Sequence, residues 1–337
     1  MGWDGWDRLR LGTGGMPGLN GRQRMPLRAV IDVGTNSVKV LLAEVESGVV
    51  MPLWETSEQT RLGRGFYETH RLQAEPVAAT AVVVARFAGE ARARGAIHVR
   101  VVATSAARDA VNRDELLDAI RTASGLPTEV ISGDQEAEWG FRGVMTDPIH
   151  ANRPILLMDV GGGSTEFILG QRGQVTYRRS FKLGSVRLHE QFPPSDPPVA
   201  RELAALRGWL EDFLQREVAP GLTAAIAGGD APERIVGVGG TTAILALMEA
   251  RAERFDRGLV DQARFGRERM SALLEELWMQ PLPLRRQRVG LPPERADVIV
   301  FGTAIYEAAL RVLGIHDLGV STRGLRYAAL LDQDAHE

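Results

Sequence analysis

The segment ILLMDVGGGSTEFILG, residues 155–170, decides the fold of this chain. Two apolar runs flank three consecutive glycines, which is the pattern of two buried β-strands joined by a tight turn. The glycines leave backbone N–H groups bare, and Ser164 and Thr165 add hydroxyl donors beside them. Successive amides in such a turn form a concavity that binds anions. Since Asp159 and Glu166 add carboxylates on either side, the segment predicts a phosphate-binding turn; a merely flexible loop would rarely separate two apolar strands.

Residues 28–45, RAVIDVGTNSVKVLLAEV, repeat this arrangement 127 residues earlier, counted from Asp32 to Asp159. A strand, 28–33, and its hairpin partner, 37–45, again flank a turn. By itself, an Asp-Gly turn between strands is most often a simple hairpin. A matched pair of such turns predicts two similar α/β lobes that hold a ligand in the cleft between them. The phosphate-binding residues of the first turn would be Gly34, Thr35, Asn36 and Ser37.

A third glycine-rich turn, Gly239-Gly240-Thr241, stands where a predicted strand, 234–238, meets a predicted helix. The N-terminus of a helix is a ready anion site, so this turn could bind a further phosphate. A tightly packed turn without a ligand is an equal alternative. The motif is not a dinucleotide-binding fingerprint, because Thr242 stands where the third Gly or Ala should be.

Two charged residues are candidates for the chemistry itself. Ser132 and Gln135 form a capping-box pattern that opens a helix, which places Glu136 in its first turn. The positive end of the helix should keep Glu136 ionised and able to act as a general base. Arg108 follows a strand end, and a guanidinium group binds phosphate oxygens in pairs. The simpler interpretations are an ordinary acidic helix start and a surface arginine.

Composition excludes several other classes of protein. The chain has no cysteine, which excludes disulfides, thiolate metal sites and a cysteine nucleophile, and fits a reducing cytoplasm. Its net charge of −3 means that local groups, and not an overall positive field, must hold a polyanion; we therefore expect neither DNA nor RNA as partner. No apolar window is long enough to predict a membrane span. The six histidines lack metal-ligand spacing, and there is no P-loop motif.

Apolar periodicity and glycine turns also predict the remaining elements. Strands are expected at 98–103, 128–131, 155–160 and 165–170, and residues 193–198, PPSDPP, should form a loop. Helices are expected at 74–94, 113–124, 199–217, 241–252, 267–279 and 294–313. The predicted organisation is a disordered extension over 1–25 (or translation from Met25), a first lobe over 26–148 and a second over 149–333, whose last helix could pack back on the first.

Seven motifs in this order resemble the exopolyphosphatase/guanosine pentaphosphate phosphatase (Ppx/GppA) family. The resemblance covers roughly residues 28–331. Each motif alone is a weak signal of the family, but the occurrence of all seven in this order is specific to it. They are IDVGTNS at 31–37, ATSAARDA at 103–110, ISGDQEA at 131–137, DVGGGSTE at 159–166, LGSVR at 183–187, VGGT at 238–241 and STRGLR at 321–326.

The resemblance implies an α/β fold of the acetate and sugar kinase/Hsp70/actin superfamily, with two ribonuclease H-like lobes around a cleft. It implies Mg²⁺-dependent release of the terminal phosphate of polyphosphate, with pppGpp as a further substrate and Mn²⁺ as the alternative ion. Glu136 would be the catalytic base, Arg108 would hold phosphate as the second catalytic residue, and Asp32, Asp159 and Glu166 would bind or support the metal. The residues expected to bind phosphate are Gly34, Thr35, Asn36, Ser37, Gly162, Gly163, Ser164, Thr165, Gly239, Gly240 and Thr241.

This sequence departs from the family pattern in two respects. Gln135 stands where the family often has a first Glu, while the second, Glu136, is retained. The chain also resembles the short two-domain form, without the C-terminal helical domain of longer members, which would favour short polyphosphate chains. The family further suggests a homodimer. A phosphotransferase of the same fold, or a nucleotide-binding sensor without turnover, remains an alternative.

Overall fold

A computed structural model describes residues 26–228, 231–232 and 234–332. The described chain folds around two mixed β-sheets, each of which begins with two antiparallel hairpins and continues with parallel strands; the second sheet ends in an antiparallel edge strand. The predicted extension, 1–25, lies outside the described residues. The first sheet has the order β3-β2-β1-β4-β5: β1 Leu27–Val33, β2 Ser37–Glu46, β3 Val49–Gln59, β4 Ala96–Ala103, β5 Thr128–Val130. The second has the order β10-β11-β9-β6-β7-β8: β6 Ile155–Val160, β7 Thr165–Gln171, β8 Gln174–Phe181, β9 Arg234–Val238, β10 Arg264–Gly266, β11 Asp317–Val320.

The two sheets share one plan, which confirms the predicted fold class. β1 pairs antiparallel with β2 and parallel with β4, while β6 pairs antiparallel with β7 and parallel with β9. Asp32 and Asp159 therefore lie at corresponding strand ends.

The helices cover the sheets and fill the space between them. α5 has one face, with Trp139, packed against the first sheet, and another, with Phe141 and Val144, packed against the second. Their bounds are α1 Phe66–Thr69, α2 Ala74–Ala93, α3 Ser105–Asp109, α4 Arg113–Ser124, α5 Gly133–Met145, α6 Ser185–Gln191, α7 Ala200–Phe213, α8 Ala219–Ala227, α9 Gly240–Glu249, α10 Arg257–Gln262, α11 Arg267–Trp278, α12 Leu282–Arg285, α13 Ile299–Val312 and α14 Leu325–Leu331.

The last helix, α14, returns from the second sheet and packs on β1, β2 and α5. Leu330 and Tyr327 join the apolar cluster of the first sheet, together with Val30 and Leu41. The chain thus passes between the sheets twice, after α5 and after β11. Because α5 contacts both sheets, the lobe limits 26–148 and 149–333 stay a prediction.

Some predicted elements differ from the structure for local reasons. The helix expected at 294–313 begins only at Ile299, because Pro292 and Pro293 direct the chain into a short 3₁₀ turn first. The helix expected at 199–217 ends at Phe213 and continues through a wider turn into α8. The loop at 193–198 is confirmed. None of the helices within the described ranges is long and apolar enough to cross a membrane.

Candidate active site

The two aspartate-bearing turns face each other across the cleft between the sheets. Each turn is closed by the same hydrogen bond: the Gly34 N–H donates to the Ser37 carbonyl over 3.1 Å, and the Gly161 N–H donates to the Ser164 carbonyl over 2.9 Å. A Cβ atom built on Gly162 would lie 3.0 Å from the Cβ of Thr35. The turns that the sequence singled out are therefore in contact, one from each lobe.

The third turn closes the site from the side of β9. Gly239 has a φ of 89°, and a Cβ atom there would lie 2.6 Å from the Oδ1 atom of Asp159. This conformation and this approach both require glycine. Gly240 and Thr241 then begin α9 and line the cleft, where the first amides of a helix have no partner within the helix.

A cavity of about 60 Å³ lies between the turns. Most of the predicted site residues line it, from both lobes. They are Asp32, Gly34, Thr35, Asn36, Ser37, Glu136, Asp159, Gly162, Gly163, Ser164, Glu166, Gly240 and Thr241. A second cavity of about 160 Å³ adjoins it and is lined by Gly239; Asp32, Asp159 and Gly240 border both.

Thr165 is a predicted phosphate-binding residue whose side chain has another partner. It is fully buried, and its hydroxyl donates to the Leu183 carbonyl over 2.6 Å. That hydroxyl fixes the turn against the strand-to-helix loop that follows β8, and is therefore not available as the donor to phosphate that the sequence suggested.

Glu136 lies in the first turn of α5, as the capping pattern predicts. The Ser132 hydroxyl accepts a hydrogen bond from the Gln135 N–H, and Arg108 Nη1 lies 2.8 Å from Glu136 Oε2. The expectation that the helix end keeps this carboxyl ionised is wrong: burial raises the pKa of Glu136 to about 7, Arg108 opposes the rise, and nearby Asp159 and Asp32 add to it. A carboxyl with a pKa near neutrality is well matched to general-base catalysis.

The first prediction concerns pH. Glu136 must be ionised to accept a proton, so kcat/KM should fall as the pH drops below about 7 at low free Mg²⁺. This fall is the acidic limb of the pH–rate profile. Raising the Mg²⁺ concentration should move the limb to lower pH, because a nearby cation favours the ionised carboxylate. Rate profiles between pH 5 and 9 measure both effects. The residual rate of Glu136→Gln is the control, since a limb that persists there belongs to the substrate.

Three further carboxylates line the same cavity. Asp32 is 7% exposed, and its Oδ1 atom has no hydrogen-bond partner within the described part of the chain. Its Oδ2 atom lies 3.6 Å from Lys39 Nζ. Burial raises the pKa of Asp159, against the opposing charge of Lys39. Burial likewise raises the pKa of Glu166 well above its usual range, although the Ser180 hydroxyl donates to it over 2.6 Å.

These carboxylates fit a magnesium ion that is completed by the substrate. Over the described ranges, no three His, Cys, Asp or Glu side chains already form a metal-binding group. Mg²⁺, however, is usually bound through one or two carboxylates together with substrate phosphates and water. The unpartnered oxygen of Asp32 and the nearby carboxylate of Asp159 match that donor set. Glu166, already bonded to Ser180, is better placed to support them than to bind the ion.

Other polar groups in the site were not predicted to act. Arg295 borders both cavities, and one of its Nη atoms would lie 2.6 Å from a Cβ atom on Gly240. Buried polar atoms without a partner among the described residues include Arg295 Nε and Ser105 Oγ, together with Nδ2 of Asn36, which was predicted to bind phosphate. Because unpaired buried donors are rare in proteins, they indicate a polar ligand. Lys39 is one of only two lysines in the sequence, and this rarity is a weak signal for a contact with phosphate. Arg295 lies inside the helix predicted over 294–313, and nothing else in the sequence marks it.

The second prediction concerns Arg108. Its guanidinium provides the largest favourable interaction of the ionised Glu136 carboxylate. Replacing it by alanine should therefore raise the pKa of Glu136 further, moving the acidic limb of the rate profile to higher pH, and should weaken phosphate binding with the fold intact. The profile and KM are measured beside those of Arg178→Ala, whose arginine pairs at the surface with Glu138. An unchanged limb and KM would place Arg108 outside the mechanism.

The duplicated sheets, the facing phosphate turns and the buried carboxylates define a two-lobed phosphohydrolase cleft. Residues 41–336 match the model of the Ppx/GppA phosphatase family, so the chain belongs to that family and the resemblance of its motifs is confirmed.

Named relatives and solved structures that resemble the chain support its assignment to this family. The chain is 33% identical over 306 residues to "Exopolyphosphatase 2" of Mycobacterium tuberculosis, covering 87% of this chain and 94% of the relative. It is 30% identical over 302 residues to the guanosine-5'-triphosphate,3'-diphosphate pyrophosphatase of Vibrio vulnificus, covering 89% and 58%. An exopolyphosphatase structure from Cytophaga hutchinsonii matches with a TM-score of 0.82 at 26% identity, covering 92% and 99%. The Aquifex aeolicus family member matches with a TM-score of 0.74 at 28% identity, covering 92% and 98%.

Proposed function

We propose that the chain removes the terminal phosphate of inorganic polyphosphate in a Mg²⁺-dependent hydrolysis, an exopolyphosphatase reaction. One observation carries this proposal: Glu136 and the two aspartate-bearing turns border a single cavity between the lobes. The cavity offers backbone amides and unpartnered donors to phosphate, and a carboxyl with a pKa of about 7 to water. The printed names of several relatives are those of exopolyphosphatases.

In the proposed mechanism, the terminal phosphoryl group lies between the two turns. Their amides and Arg295 bind its oxygens and stabilise the charge that develops during transfer. Glu136 orients a water molecule in line with the leaving phosphate and accepts its proton at a carboxylate oxygen. Arg108 holds that carboxylate in place. Asp32 and Asp159 would hold Mg²⁺, which neutralises phosphate charge when bound; Mn²⁺ is the alternative ion.

A specific observation favours pppGpp as a second substrate. The larger cavity, of about 160 Å³, continues directly from the phosphate cavity and shares Lys39 and Arg295 with it. Its other side is apolar, with Ile244, Leu247 and Phe255. A polar end beside an apolar chamber suits a nucleoside that carries several phosphates. A sensor that binds such a nucleotide without turnover remains the alternative.

The test is phosphate release under Mg²⁺ from tripolyphosphate, long polyphosphate, pppGpp and ATP, measured side by side. We expect release from polyphosphate, with pppGpp as a second substrate. Release from pppGpp alone would contradict the exopolyphosphatase proposal. Binding without release would favour the sensor. Transfer from ATP to an added small acid or sugar, without release in its absence, would favour a phosphotransferase. The cytoplasmic location and the homodimer stay predictions; sedimentation of the purified chain tests the dimer.

A further inference from the structure

The two places where the chain passes between the lobes lie against each other. A Cβ atom on Gly143, near the end of α5, would lie 2.1 Å from the carbonyl oxygen of Gly324, which precedes α14. Arg323 Nη1 also donates to the Thr146 carbonyl over 2.6 Å. The two covalent connections between the lobes therefore meet at a single contact.

The first phosphate turn is supported from behind by the loop that follows β3, residues 60–65. The N–H groups of Thr60 and Arg61 both donate to the Asn36 carbonyl, over 3.2 and 3.0 Å. The Gly63 N–H donates to the Thr35 carbonyl over 2.8 Å. A Cβ atom on Gly63 would lie only 2.3 Å from the Thr35 methyl group, so the loop and the turn are in direct contact. A displacement of this loop therefore displaces the turn.

The same loop reaches across the cleft to the second lobe. Arg61 Nη1 lies 2.9 Å from Asp297 Oδ2, and Arg61 Nη2 donates to the Glu294 carbonyl over 2.8 Å. The Gly65 N–H donates to Glu190 Oε1, on α6, over 2.7 Å. Arg295, which borders both cavities, stands between the two residues that Arg61 contacts. Arg61 thus joins the backbone segment of Arg295 to the turn of Thr35 and Asn36.

We propose that Arg61 is a positioning residue that fixes the first phosphate turn relative to Arg295 and holds the cleft closed. Its fork of donors suits the task, because one Nη atom meets a carboxylate while the other meets a carbonyl. The Asp297 side chain is 13% exposed and the Arg61 side chain 37%, so the pair is half-buried, with Asp297 as its buried partner. Lysine could keep the contact with Asp297 but not both bonds at once. The effect on catalysis rests on the proposed function; the effect on lobe separation does not.

Distance measurements between the lobes test the proposal without any activity. The chain has no cysteine, so Val82→Cys on α2 and Leu284→Cys on α12, both exposed, can carry a pair of spin labels. In the substrate-free protein, Arg61→Met should lengthen and broaden the distance distribution. Arg64→Met is the matched control, because Arg64 lies in the same loop but pairs with Glu75 of its own lobe. A distribution that is unchanged by Arg61→Met would overturn the proposal.

Kinetics with tripolyphosphate provide the second measurement. We expect Arg61→Met to raise KM by about tenfold or more, since a displaced phosphate turn binds less well before closure, with a smaller loss in kcat. Arg61→Lys should recover part of the loss, and Arg64→Met should match the wild type. Equal melting temperatures exclude general unfolding as the cause. If Arg61→Met lengthens the distance between the labels but the protein turns over no substrate, the proposed function is wrong and the role of Arg61 in closure is supported. If the enzyme is active and Arg61→Met leaves KM unchanged, the positioning role is refuted.

Discussion

Glu136→Gln should lower kcat by about 10²–10⁴-fold while substrate binding persists. The amide keeps the size of the carboxyl and can still accept the hydrogen bond from Arg108 at one oxygen. It cannot accept a proton from water, so the loss should fall on the chemical step. Phosphate release gives kcat, and calorimetric titration of the variant with tripolyphosphate and Mg²⁺ gives the binding constant.

Glu138→Gln is a matched control for this variant. Glu138 lies on the same helix, one position past Ala137, but pairs with Arg178 at the surface. Glu138→Gln should retain the activity of the wild type and the acidic limb of its pH–rate profile. Near-normal turnover by Glu136→Gln would remove Glu136 from the mechanism, and a loss of binding equal to the loss of rate would reassign it to substrate binding.

The parts of the site that could be read from the sequence are those encoded by neighbouring residues. An aspartate at the end of an apolar strand, followed by glycines, specifies each turn within a few positions. Ser132 and Gln135 likewise specify the helix start that carries Glu136. Each of these patterns depends on the local backbone, and the structure places all of them around one cavity.

Features that depend on distant contacts could not be read in this way. Arg295 reaches the site only because the 3₁₀ turn after Pro292 packs over Gly240, a contact between distant parts of the chain. β3 was missed because Pro52 interrupts its apolar first half and its second half, residues 55–59, is polar. The pKa of Glu136 reverses the expectation from its helix position, because burial and two aspartates outweigh the helix end and Arg108. Position on a helix was visible in the sequence, but burial was not.

Asp159→Asn should reduce activity on the order of 10²–10³-fold and raise the Mg²⁺ concentration needed for half-maximal rate. Bound metal ions supply several kcal/mol of charge stabilisation, and this variant leaves only Asp32 of the two best-placed carboxylates. The amide is isosteric, which matters because Gly239 leaves so little room beside Asp159 Oδ1. Stabilisation of the folded protein by Mg²⁺ with tripolyphosphate, read as a shift in Tm, should shrink in parallel.

The direction in which the pKa of Glu136 moves distinguishes a loss of metal binding in Asp159→Asn from damage to the catalytic base. The negative charge of Asp159 helps to raise the pKa of Glu136, so removing it should lower that pKa and leave more Glu136 ionised at neutral pH. Both enzymes must be compared at low free Mg²⁺, because a bound cation lowers the pKa of Glu136 and its loss would act in the opposite direction. Under that condition, a slower enzyme whose acidic limb has moved to lower pH has lost metal binding and kept its base. Asp317→Asn, at the exposed start of β11, should change neither quantity. If Asp159→Asn keeps the Mg²⁺ dependence of the wild type, Asp159 is not a metal ligand.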